Sequence, residues 1–155
     1  MTREDIKTFQ YRISQANASK LVVILYDMAI RYLSDACICE DISEARGSVN
    51  KAIRVLDQLI TGLDMKYEIS TNLFVLYNHI KRSLIPATVS LDKAELERVK
   101  GLLTKLREAF YEVSLQDASA PLMKNAEAVY SGLTYSKMGQ GNEILSSSNN
   151  RGFKA

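Results

Sequence analysis

A chain of 155 residues that is 46% hydrophobic and 25% charged is long enough to form one domain with an apolar core. Its net charge is +2, with basic and acidic residues interleaved, which argues against a nucleic-acid-binding protein with a basic stripe. No apolar run reaches the roughly 18 residues of a membrane span and the polar N-terminus shows no signal-peptide pattern, so we expect a cytoplasmic protein without membrane insertion.

The low content of Gly and Pro, with seven and two residues respectively, favours an all-α protein. The first predicted helix covers residues 3–15, and Thr2 and Asp5 can form a capping box at its start. Its single apolar face consists of Ile6, Phe9 and Ile13. Three side chains bury little apolar surface, so we expect this helix to be a displaceable lid on the rest of the domain.

The second predicted helix covers residues 20–39, and either Asn17 or Ser19 can cap it. Its apolar residues occupy an arc of about 220°, whereas a helix that packs only against its own core needs a little over ~100°. The surplus apolar residues are Val23, Tyr26 and Ile30. Because this surface needs a cover, we predict that it contributes to a groove for a partner helix.

The third and fifth predicted helices each carry one ordinary apolar stripe. Asp41 and Glu44 form a capping box that opens the third helix, and Asp92 and Glu95 form one that opens the fifth. We therefore predict that both helices pack against the core with a single face.

The fourth predicted helix begins near Glu68 and is expected to end at Pro86, since proline cannot continue a helix interior. Its core stripe consists of Ile69, Leu73, Leu76, Tyr77, Ile80 and Leu84. A second group of apolar residues lies together on another face: Tyr67, Phe74 and Ile85. We predict that this group forms the other part of the groove.

The pattern weakens after Asp117. Pro121 is expected to open a short helix that runs through Tyr130, and Gly, Ser and Asn dominate from Gly132 onward. We therefore predict one domain over residues 1–131 and a flexible tail over residues 132–155. The expected fold is an antiparallel four-helix bundle with an N-terminal lid helix and a short C-terminal helix, because the connections between the main helices are short.

Catalytic motifs are absent from the sequence, which contains no Gly-rich phosphate loop and no Gly-x-Ser-x-Gly. Cys37 and Cys39 are poorly spaced for a disulfide on a helix, and His79 alone adds too few ligands for a metal. We therefore expect that the protein is not an enzyme and binds neither a cofactor nor a metal. A phosphotransfer domain at His79 is a weaker alternative, because those domains prefer Lys at the third position after the histidine, whereas Lys81 is at the second.

The segment Ala18–Ser19 is followed by Leu25–Ile30, and three further blocks come after it: Leu63–Leu73 with Leu76 and Tyr77, Arg82–Ala87, and Leu102–Phe110. In their order and spacing, these four blocks resemble the signature segments of one known family, the FliS family of flagellar secretion chaperones. The chain departs from the family pattern where Met28 replaces Gly, Pro86 replaces Glu and Phe110 replaces Trp.

The resemblance implies a helical bundle in the bacterial cytoplasm that binds the C-terminal segment of flagellin. Such a chaperone prevents premature polymerisation of flagellin and aids its delivery to the flagellar export gate. In the family, the N-terminal region can occupy part of the client groove, which agrees with the weak lid inferred from the first helix. An alternative from the residues alone is a homodimer that covers the same apolar surface without a client. We expect a monomer or a weak homodimer.

Overall fold

The computed structural model describes residues 1–124, which contain five α-helices and no strand. The helices are α1 (Arg3–Ser14), α2 (Ala18–Ile38), α3 (Ile42–Thr61), α4 (Glu68–Ser90) and α5 (Lys93–Gln116). Over these residues, the prediction of an all-α fold is confirmed. None of these helices is both long enough and apolar enough to cross a membrane.

The predicted capping residues begin four of the helices. Thr2 and Asp5 form a complete capping box at α1, and Asn17, rather than Ser19, caps α2 by accepting a hydrogen bond from the Lys20 backbone N–H. Asp41 and Asp92 cap α3 and α5 by accepting from backbone N–H groups. The reciprocal half of each predicted capping box is absent, since the Glu44 carboxylate accepts from the Cys39 thiol and Glu95 pairs with Arg98. Local side-chain hydrogen bonds therefore set these boundaries.

The prediction that α4 ends at Pro86 is wrong, since the helix continues through Pro86 to Ser90. An interior proline costs about 3 kcal/mol because it removes a backbone hydrogen bond and crowds the preceding turn. Leu84 and Ala87 lie on either side of it and are both buried in the core, so tertiary packing opposes that cost. Leu91 then ends the helix in the left-handed conformation.

Helices α2 to α5 contact one another in a closed circuit, in the order α2, α3, α4, α5 and back to α2. Contacts between α3 and α4 show that they run in opposite directions, because Arg46 donates to the Val89 carbonyl while Asp57 pairs with Lys81. The start of α2 likewise meets the end of α5, where the Asn17 amide donates to the Asp117 carbonyl. The core inside this circuit is formed by side chains such as Leu33, Leu56, Ile80, Leu84, Leu96 and Leu103.

The broad apolar arc of α2 has a structural explanation. This helix packs against α3 and α5 within the circuit and against α1 on its outer side. Because α2 contacts three helices, it needs a wider apolar surface than α3 or α5, each of which contacts two helices within the circuit. Part of the surplus predicted from the sequence is therefore covered within the chain.

The predicted C-terminal features lie largely outside the described residues. Residues 121–124 are loop, bend and turn. The rest of the predicted helix up to Tyr130, the domain boundary at residue 131 and the tail over residues 132–155 fall beyond Lys124.

Candidate functional site

An apolar pocket of about 800 Å³ opens at one end of the helix circuit. The N-terminal turns of α2 and α4 and the C-terminal turns of α3 and α5 meet there, as alternating helix directions require. Its apolar walls include Leu21, Val22, Leu25, Leu59, Leu63, Tyr67, Ile69, Leu73, Tyr77, Phe110, Val113 and Leu122. We call this end the open end. Its volume lies in the range typical of ligand-binding pockets in proteins.

The walls of the pocket continue the core stripes of the helices. Ile69 lies on the same face of α4 as Leu73 and Ile80, at spacings of four and eleven residues. Ile80 is completely buried, whereas Ile69 is 61% exposed. On α5, Val113 follows the buried Leu103 along the same stripe and is also exposed. The pocket is therefore a continuation of the core that residues 1–124 leave unfilled.

The aromatic rings of Tyr77 and Phe110 line the pocket, and the Tyr26 ring lies buried beneath them. Tyr26 packs against Tyr77 and Phe110, with ring centroids 6.3 and 5.5 Å away. The hydroxyls of Tyr26 and Tyr77 hydrogen-bond to each other below the surface. Burial raises the pKa of both phenols, so the pair stays neutral across the physiological range. This polar contact fixes two of the rings beneath an otherwise apolar cavity.

The chain beyond α5 forms part of the rim of the pocket. The buried Asn17 side chain donates hydrogen bonds to the carbonyls of Asp117 and Ser119, at 3.1 and 3.2 Å. The Leu122 backbone N–H donates to the Ala16 carbonyl at 2.9 Å, and the Leu122 side chain lines the pocket. These bonds attach the segment that follows α5 to the connection between α1 and α2.

Of the three groove residues predicted on α4, one lies at the pocket and two lie outside it. Tyr67 lines the pocket, and Phe74 and Ile85 are exposed on the outer face of α4. The three residues are separated by seven and eleven positions, so they share one side of the helix. Tyr67, the N-cap residue of α4, thus lies at the pocket, whereas Phe74 and Ile85 are two separate exposed apolar residues with Asn78 and Lys81 between them on the same side.

The predicted groove residues of α2 lie mainly inside the fold. Tyr26 is completely buried below the pocket and contacts two of its lining residues, Tyr77 and Phe110. Val23 is buried and lines a second, smaller cleft together with Tyr11 of α1. Ile30 is partly buried against the core.

Helix α1 is attached to α2 by charged groups, and none of its residues is buried. Arg12 pairs with Asp27 at 2.5 Å, Asp5 pairs with Arg31 at 3.0 Å, and the N-terminal amine pairs with Asp35. The residues predicted as the lid are half-buried or exposed: Ile6, Phe9 and Ile13.

Sequence reasoning missed most of the residues that line the pocket. On α3, α4 and α5 they lie on the regular core stripes, where periodicity predicts burial, and on α2 they lie within the broad apolar arc, so they could not be distinguished from core residues. The available signal was their position near the helix ends that an alternating arrangement brings together: Leu21, Val22, Leu25, Leu63, Ile69 and Val113.

The residues considered for other chemistry lie away from the pocket. His79 is exposed on α4 and does not line the cavity, and both Cys37 and Cys39 are free thiols. No group of three or more potential metal ligands occurs between Met1 and Lys124. The apolar walls of the pocket suit an apolar segment.

Comparison with known proteins gives consistent matches. A family model described as "Flagellar protein FliS" matches residues 3–117. The chain is 33% identical over 108 residues to the flagellar secretion chaperone FliS of Salmonella typhimurium, covering 66% of this chain and 80% of that protein. It is 23% identical over 104 residues to the chaperone of the same name from Bacillus subtilis, covering 65% and 78%. For the Escherichia coli chaperone of that name, the identity is 28% over 106 residues, covering 64% and 78%.

Proposed function

The chain belongs to the FliS family of flagellar secretion chaperones, and we propose that its open end binds the C-terminal segment of flagellin. Binding would cover an amphipathic helical segment that otherwise polymerises, and it would take place in the cytoplasm before delivery to the flagellar export gate. The observation that carries this proposal is the pocket of about 800 Å³ with apolar walls at the end of the helix circuit.

The chemistry of the pocket suits one face of an amphipathic helix. Such a helix places apolar side chains at positions i, i+3, i+4 and i+7, which can enter a groove between other helices. Each large aliphatic side chain that is transferred fully from water contributes about 1.5–3 kcal/mol. A pocket of this size accommodates several such side chains, which is enough to offset part of the entropy lost when the segment becomes ordered.

We propose that the client also contacts the outer face of α4. Tyr67 lines the pocket, and Phe74 and Ile85 continue from it along the same side of the helix. A segment longer than the pocket can therefore leave it at Tyr67 and pack along this side of α4, where it would contact Phe74 and Ile85 with the polar residues Asn78 and Lys81 between them. Tyr26 would act below the surface, because its ring supports Tyr77 and Phe110.

We interpret the closed circuit of α2 to α5 as an antiparallel four-helix bundle and α1 as a displaceable lid on α2. The lack of buried residues in α1 supports this role, as do its partly exposed ion pairs, each of which contributes only about 0–1 kcal/mol. Displacement of α1 would uncover Val23, to which a long client could then bind.

The proposal is tested with the variant Ile69→Glu and the control Ile42→Glu. Both isoleucines lie in the first turn of a helix and are similarly exposed, at 61% and 59%, but only Ile69 lines the pocket. Glutamate near a helix N-terminus is compatible with the helix dipole, so both variants should fold. Titration calorimetry with a peptide from the flagellin C-terminus should show at least tenfold weaker binding for Ile69→Glu and less than twofold for Ile42→Glu.

The competing interpretation is a homodimer that uses the same apolar surface. Sedimentation of the chain alone distinguishes the two, because a tight dimer would already cover the pocket and would lose stability in Ile69→Glu. A monomer that binds the peptide supports the chaperone. A tight dimer that ignores the peptide would refute the proposed client site.

A further inference from the structure

The segment of residues 117–122, which we call the strap, returns from the end of α5 to the start of α2. Three backbone groups of the strap are hydrogen-bonded there. The Asn17 amide donates to the carbonyls of Asp117 and Ser119, and the Leu122 N–H donates to the Ala16 carbonyl. The carboxylate of Asp117 also accepts from the Ser19 hydroxyl. Both Ala16 and Asn17 are buried, so the strap is anchored to the body of the fold.

These anchors place Leu122 at the edge of the pocket, where it forms part of the wall. More than half of its side chain, 57%, is still exposed. The cavity retains about 800 Å³ with Leu122 in place, so this side chain does not fill it. Within residues 1–124, an apolar side chain thus lies beside an apolar cavity without being buried, which favours a wall that a ligand completes over an internal plug.

We propose that Leu122 contacts the client directly and extends the binding site beyond residues 3–117, the part that matches the family model. This inference rests on the proposed function, since it concerns the same pocket and the same flagellin segment. The client would bury the exposed part of Leu122 between itself and the pocket.

Asn17 is then the positioning residue for Leu122. Its side-chain oxygen caps α2 by accepting from the Lys20 N–H at 3.0 Å, and its side-chain nitrogen holds the strap. A serine at this position keeps an oxygen for the cap but has no amide group to donate to the two strap carbonyls. The variant Asn17→Ser therefore separates the two roles.

The test is titration calorimetry of the full chain with a peptide from the flagellin C-terminus. Leu122→Ala should weaken binding by about five- to tenfold, because it removes most of an apolar side chain that the client would bury. Met123→Ala is the matched control, since Met123 is an exposed neighbour that does not line the pocket, and it should change binding by less than twofold. Thermal unfolding of both variants should resemble that of the unaltered chain.

The positioning role is tested in the same assay. Asn17→Ser should weaken binding in the otherwise unaltered chain but have little further effect in the Leu122→Ala background. Additive effects of the two substitutions would contradict the positioning role. Unchanged or tighter binding by Leu122→Ala, with normal binding by the unaltered chain, would overturn the inference alone. Failure of the unaltered chain to bind the peptide would overturn the proposed function as well.

Discussion

The two ends of the helix circuit are built from the same apolar stripes, but a pocket opens at one of them. At the opposite end, which we call the closed end, Leu33, Leu84 and Leu96 are completely buried, although Ile42 in the first turn of α3 is 59% exposed. At the open end, Leu25 is only partly buried, and Ile69 on the stripe that contains Leu84 is mostly exposed. The residue types and their spacing are similar at both ends, so amino-acid composition does not explain the difference.

The difference lies in what surrounds each stripe. Helical periodicity determines which face of a helix is apolar, but burial depends on whether neighbouring helices cover that face. At the open end, the first turn of α4 and the last turn of α5 leave a cavity between them. One end of the stripes therefore stabilises the fold, and we propose that the other end binds the client.

The largest expected effect on the free energy of unfolding comes from replacing one of two leucines of α2 by alanine, one towards each end of the helix circuit. Leu33→Ala removes a completely buried side chain and should lower the free energy of unfolding by about 2–5 kcal/mol. Leu25→Ala changes a partly buried pocket wall and should cost about 1 kcal/mol. Urea unfolding of the two variants measures both values.

Binding of the flagellin peptide should show the opposite order. Leu25→Ala should weaken binding several-fold, whereas Leu33→Ala should leave the affinity nearly unchanged under conditions where the variant remains folded. Equal losses of stability at the two positions would show that the open end is as tightly packed in solution as the closed end.

Much of the fold was predictable because it depends on local signals. The caps at Thr2, Asn17, Asp41 and Asp92 are short-range hydrogen bonds that the sequence displays directly. The end of α4 was not predictable in this way. Its continuation past Pro86 depends on packing against other helices, which single-sequence patterns do not contain.

The candidate site was predictable only in part. Phe74 and Ile85 lie off the core stripe of α4, and the structure leaves them exposed as their pattern indicates. The pocket wall of α4 lies on the stripe, so only the three-dimensional arrangement shows that no other part of the described chain covers it. The wide apolar arc of α2 predicted that Val23 and Tyr26 belong to the groove. The fold buries both residues, because α2 packs against three neighbouring helices.

A smaller effect is expected when the ion pairs of α1 are removed. Arg12→Gln with Arg31→Gln should destabilise the docking of α1 by about 1 kcal/mol, because both pairs are partly exposed. The backbone amides of α1 should then exchange hydrogen about fivefold faster, while those of α5 stay unchanged. Asp27 keeps Arg107 as a partner in this variant, so no isolated charge remains at that position.

This variant also tests whether the open end is independent of α1. Arg98→Gln is the control, because Arg98 pairs with Glu95 within α5 and has no ion pair with α1. The lid proposal predicts a modest gain in peptide affinity for the α1 variant and none for the control. A loss of affinity would instead show that α1 helps to form the client site.

The smallest expected effect concerns the carboxylate of Asp117, which hydrogen-bonds the strap to Ser19 at the start of α2. Hydrogen bonds from Ser119 and Ser19 lower the pKa of Asp117 from 3.8 to about 2. Because the folded state favours the ionised carboxylate, its contribution to stability is fully present above the ordinary pKa and disappears as the pH falls towards 2. The difference in unfolding free energy between the unaltered chain and Asp117→Asn should therefore be constant above about pH 5 and shrink between pH 3.8 and 2. Urea unfolding at a series of pH values measures this difference, and one that grows on acidification would show that the carboxylate does not stabilise the strap.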